Sequence, residues 1–87
     1  MAMKRLTIDI PESVLLAEKT DEQTFAREIS VLAAVKLYEL GRLSSGRAAE
    51  MAGMSRVAFL HRLGQYRVFP LEAELEDLET RHAAGHQ

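Results

Sequence analysis

An 87-residue chain with 47% hydrophobic residues, no cysteine and a formal net charge of −2 has the length of one small domain and the composition of a folded one. At this size only about 60 to 65% of the unfolded surface is buried, so a lone chain is marginally stable and a second copy is a natural source of further burial. The missing cysteines exclude disulfides, thiolate zinc sites and cysteine nucleophiles, and no apolar run approaches the ~20 residues that span a bilayer, so a cytoplasmic protein with no membrane contact is expected.

In chain order, Arg5-Leu6-Thr7-Ile8-Asp9-Ile10 alternates strictly, with Leu6, Ile8 and Ile10 on one face, and Pro11 ends the run. This is the pattern of a half-buried strand. An isolated strand leaves its backbone donors and acceptors unpaired, and the chain offers no second good strand. Two solutions follow: the same strand from a second copy, paired antiparallel about a two-fold axis, or an extended arm lying on its own helices.

Pro11-Glu12-Ser13 opens a short helix through about Lys19, with Val14, Leu15 and Leu16 available for burial. Thr20 to Gln23 reads as a capping box with Thr20 at the cap. The helix that follows runs to Gly41, and its middle, Ile29 to Val35, is apolar almost all round, which predicts burial on more than one side. Phe25, Ile29, Leu32 and Leu40 are expected to face the chain's own core. Val31, Val35 and Tyr38 are candidates for a dimer seam, joining Leu6, Ile8 and Ile10. Strand, short helix and long helix are the order of a ribbon-helix-helix module, although Asp9 on the outer face suits dimerisation better than contact with phosphates.

Ser44 to Gly64 then reads as two short helices hinged at Gly53-Met54-Ser55. Ser44 or Ser45 caps the first and Ser55 the second; Ala48, Ala49 and Ala52 permit close helix approach, and Gly53 permits a left-handed turn. Phe59, Leu60 and Leu63 form one apolar face of the second helix. Val57, Ala58, His61, Arg62 and Gln65 are left outward. Arg62 stands where a helix-turn-helix usually buries a second aliphatic residue, so Leu63 must take that role.

Charge separates along the same line. Between residues 42 and 67 five arginines (Arg42, Arg47, Arg56, Arg62, Arg67) face one acid, Glu50, a net +4. From residue 68 onward five acids face one arginine, a net −4. The basic block coincides with the hairpin, which makes duplex DNA its expected ligand: Arg42, Arg47, Arg56 and Arg67 on phosphates, and Ser55, Arg56, Val57, His61 and Arg62 on base edges. A purely structural hairpin in a protein-interaction module is the rival reading. Leu71, Leu75 and Leu78 recur at helical spacing among the acids, after Phe69-Pro70. That stripe either folds back on the body or docks on another protein.

Catalysis finds little support. Ser44, Ser45 and His61 lack a nucleophile elbow and a third orienting group, His82 and His86 lack a third ligand, and the carboxylates of the tail read as a solvated face. No enzyme activity, cofactor or metal is expected.

Taken together, IDIPESVL, AVKLYELGRLSSGRAAEMAGMSRVAFLHRLG and LEAELEDLE resemble a prokaryotic family of small, uncharacterised, antitoxin-like helix-turn-helix proteins found beside PIN-domain-like ribonuclease toxins. The resemblance implies a DNA-binding antitoxin and autorepressor: an operator-binding motif from Ser44 to Arg62, and toxin contact through Phe69, Leu71, Leu75 and Leu78. The expected fold is mainly α, with an N-terminal strand that forms a dimeric ribbon. Residues 1–20 would be a dimerisation arm, 21–67 a helical core with the helix-turn-helix at 44–64, and 68–87 an acidic partner-binding helix or tail.

Overall fold

The computed structural model describes residues 2–70 and consists, in that span, of four α-helices and a final 3-10 turn: α1 (Glu12–Glu18), α2 (Glu22–Glu39), α3 (Ser45–Ala52), α4 (Arg56–Arg62) and the turn Leu63–Tyr66. The mainly α expectation holds in this span. Residues 2–11 carry no helix or strand, and among the described residues no backbone group of residues 2–10 pairs with another backbone group. The acidic segment 71–87, with the helix expected there, lies outside the described residues.

Pro11 caps α1 rather than opening it, and Lys19 closes it in the left-handed region at φ 53°. No residue of α1 is buried; Leu15 is half-buried, while Val14 and Leu16 are exposed. The cap of α2 is Asp21, one residue after the expected Thr20. Its carboxylate accepts the Thr24 N–H at 2.8 Å and the Thr24 hydroxyl at 3.1 Å, and the charged acceptor outcompetes a neutral hydroxyl for the first turn. Those two bonds hold the Asp21 carboxyl below its ordinary pKa. The cap's contribution is therefore present above the unfolded carboxyl's pKa and fades as pH falls through the lower folded value.

At the other end α2 stops at Glu39, and Gly41 takes φ 75° so that its N–H reaches the Tyr38 carbonyl while the Arg42 N–H reaches that of Leu37. The chain turns there and α3 packs on α2, with α4 on α3. Ala34, Val35, Tyr38, Ala48, Ala49, Phe59, Leu60, Leu63 and Val68 form the buried core, with Val31, Leu43, Ala52, Met54 and Tyr66 packed against it. Phe59 is fully enclosed, and the Tyr38 ring meets it edge-on at 5.8 Å and 89°. Leu63, also fully buried, fills the place that Arg62 leaves.

The faces of α2 are divided differently from the sequence reading. Val35 and Tyr38, expected at a dimer seam, are buried within the single chain, whereas Leu32 and Leu40, expected inside, are exposed. The reason is where α3 lands: it covers the face carrying Ala34, Val35 and Tyr38, whose small and flat side chains allow close contact. Val31 remains half-buried at the rim of that core, and Phe25 and Ile29 are half-buried farther along α2. Phe59→Ala should remove the centre of this packing and lower unfolding free energy by about 3 to 5 kcal/mol, measured by urea denaturation; a loss below about 1 kcal/mol would show that α4 does not anchor the core.

Candidate nucleic-acid interface

The hairpin is built by two capping serines and one glycine. Ser44 accepts the Arg47 N–H at 3.2 Å to start α3, and Ser55 accepts the Ala58 N–H at 3.1 Å to start α4. Between them Gly53 sits at φ 72°, donating to the Glu50 carbonyl at 3.1 Å, while the Met54 N–H reaches Ala49 at 3.0 Å. A β-carbon at Gly53 would meet nothing within 4 Å, so the left-handed backbone and not lack of space requires glycine there.

Ala48 and Ala49 are buried where α3 meets its neighbours, and Phe59, Leu60 and Leu63 point the apolar side of α4 into the core. Val57, Ala58 and His61 are left exposed on α4, with Val57 46% exposed. This outward set is the one expected of a reading helix. It is short, seven residues, because the chain tightens into the 3-10 turn at Leu63.

The five arginines of the basic block stand in different surroundings. Arg42, Arg47 and Arg67 are exposed. Arg47 Nη1 lies 3.4 Å from Glu50 Oε2, a solvated pair worth about 0 to 1 kcal/mol and easily exchanged for another anion. Arg67 takes the left-handed conformation at φ 56° and lines a recess with Tyr38, Glu39, Gly41, Val68 and Phe69. Arg62 is also exposed, but it borders a cleft with Arg27, Val31, Met51 and Met54, toward α2. Arg56 is half-buried and donates from Nε to Ser45 Oγ at 2.8 Å. Ser55 has its oxygen engaged as a cap and retains its hydroxyl proton for donation.

Among the residues assigned to dimerisation, Leu6 and Ile8 are 85% and 62% exposed, and Ile10 is half-buried beside a groove lined by Leu15, Phe25 and Ile29. Among those assigned to a partner, Phe69 is 84% exposed, and Leu71, Leu75 and Leu78 lie outside the described residues. No described helix is long and apolar enough to cross a membrane.

Two residues escaped the sequence reading. Ser45 was legible in principle: only one of two adjacent serines can cap, and the other shares a 45, 48, 49, 52 inner face with the alanines. Arg27 carries no local signal, since it lines the same cleft as Arg62 only through the tertiary placement of α2.

The model of an uncharacterised protein family, UPF0175, matches residues 1–86. A UPF0175 protein of Archaeoglobus fulgidus is 40% identical over 58 residues, which make up 67% of this chain and 66% of that protein. The chain thus matches about two thirds of that relative's length. No solved structure matches it. With the match running from residue 1 to residue 86, the chain belongs to the uncharacterised family UPF0175.

Proposed function

We propose that this protein is a dimeric DNA-binding antitoxin that represses its own operon and neutralises a ribonuclease-type toxin through residues 68–87. One observation carries the DNA-binding reading: the only strongly basic stretch of an acidic chain coincides with the capped α3–α4 hairpin, and Arg42, Arg47, Arg62 and Arg67 are exposed there. Arginines so placed neutralise phosphates, and Val57 and His61 on α4 are available to base edges. The toxin partner rests on the family resemblance, on the −4 charge of the tail and on the exposed Phe69 at its start.

The dimer is supported by the state of the N-terminal segment. Leu6 and Ile8 are exposed, and the backbone groups of residues 2–10 pair with no other backbone group among the described residues. Antiparallel pairing with the same segment of a second copy would cover those side chains and give these groups backbone partners. Two α4 helices related by that dyad would read half-sites about 34 Å apart.

Fluorescence anisotropy with duplex DNA from upstream of the gene tests the DNA reading. Binding should weaken with salt, and the triple variant Arg42→Ala, Arg47→Ala, Arg67→Ala should flatten the log–log salt slope by roughly 2 to 3 units. Absence of salt-dependent binding to any duplex would instead favour a helical protein-interaction module. Sedimentation equilibrium tests the dimer: Ile8→Asp should halve the native mass, and an unchanged mass would place the interface elsewhere.

A further inference from the structure

A cleft of about 430 Å³ opens between α2, the end of α3 and the end of α4, within the size range of ligand pockets. Arg27, Val31, Met51, Met54 and Arg62 are among the residues that line it. Val31 and Met54 are half-buried and Met51 is 43% exposed, and methionine side chains adapt their shape to what they meet. Both charges on the lining are positive. Arg27 and Arg62 are exposed, and among the described residues neither forms an ion pair.

An apolar surface between two cations fits an acidic segment that carries an apolar stripe. Residues 71–87, which lie outside the described residues, have that pattern: Leu71, Leu75 and Leu78 recur at helical spacing. Read at about 100° per residue, Glu74 and Glu79 flank the leucines on opposite sides. Two other recesses do not match. The groove beside the N-terminal segment carries Asp9 and Glu22 and no basic residue, and the recess at Arg67 also holds Glu39.

The chain leaves the described residues within reach. Val68 and Phe69 line the recess that includes Tyr38, and Tyr38 shares a stripe of α2 with Val31 and Arg27. From Tyr38 to Val31 along the helix is ~10 Å, and residues 71–78 cover the same ~10 Å even at helical rise.

We propose that the chain's own acidic segment docks on this cleft, with Leu71, Leu75 and Leu78 against Val31, Met51 and Met54, and Glu74 and Glu79 on Arg27 and Arg62. In the free chain Arg62 then serves the acidic segment, and Arg42, Arg47 and Arg67 supply the charge for DNA. Docking on the cleft and binding a toxin use the same leucines and exclude each other.

The chain has no cysteine, so Glu76→Cys, at a position away from the leucine stripe, places a single nitroxide label on the full-length protein. Paramagnetic broadening of the Met51 and Met54 methyl signals should be strong. Arg27→Glu with Arg62→Glu, both at exposed positions, should lower the docked-to-free ratio about fivefold, as loss of two solvated pairs allows. Adding Glu74→Arg and Glu79→Arg should restore it. Sharp Met51 and Met54 signals, or broadening indifferent to the charge reversal, would overturn the docking. Equal broadening when labelled chain is mixed with unlabelled chain would assign the cleft to a second copy's segment and overturn it as well. The sample contains neither DNA nor toxin, so failure here leaves the proposed function standing.

Discussion

Close contact between α3 and its two neighbours is the constraint on which the rest of the molecule depends. Ala48 and Ala49 are buried where α3 meets the helices on either side, and side chains of that size are what let three short helices share one core. Phe59 from α4 and Tyr38 from α2 then fill the space beside α3 with an edge-on aromatic pair. A seven-residue helix such as α4 has no stability of its own in water. It exists because its apolar side is enclosed, and for the same reason its other side is held outward in a fixed orientation. The geometry of any surface on α4 is thus inherited from core packing, with the Ser44 and Ser55 caps and the Gly53 turn fixing where each helix starts and stops.

Burial is distributed unevenly along the chain. Among the described residues the core draws its buried members from positions 34 to 68. Before that span lie a segment without helix or strand that exposes Leu6 and Ile8, a helix α1 with no buried residue, and the half-buried Phe25 and Ile29 of α2. A chain of this size has little surplus stability. Apolar surface left in water is stabilisation forgone, and association of two copies would recover it. The functional proposal and the energetics of the fold meet at this point, because a palindromic operator needs the dyad that such association would create.

How much of this was legible in the sequence depended on whether a signal was local. The start of α4, the Gly53 turn and the burial of Phe59, Leu60 and Leu63 follow from capping chemistry, positive φ and helical periodicity, all contained within a few residues. Leu63 was expected to replace the missing aliphatic at Arg62, and it does so fully buried. The division of α2 into faces was not legible. Its middle is apolar all round, so periodicity could not say which side α3 would cover, and Leu32 and Val35 exchanged places as a result. The α2 cap shifted from Thr20 to Asp21 because both residues suit the role and only the geometry of the first turn decides. Within the candidate site, exposure of Arg42, Arg47 and Arg67 agrees with the charge pattern. The tie between Arg56 and the buried Ser45 depends on two helix starts meeting in space, which neither stretch alone encodes.

The claim on which the account rests is that the exposed side of the α3–α4 hairpin is what meets duplex DNA. Backbone amide shifts of isotopically labelled protein, followed during titration with the upstream duplex, test it most directly. The account predicts perturbations concentrated at Arg42, Arg47, Ser55 to Val57, His61 and Arg67, with the groove formed by Ile8, Leu15 and Phe25 unaffected. Perturbations confined to residues 2–32, or no shifts at a duplex concentration that saturates binding, would contradict it.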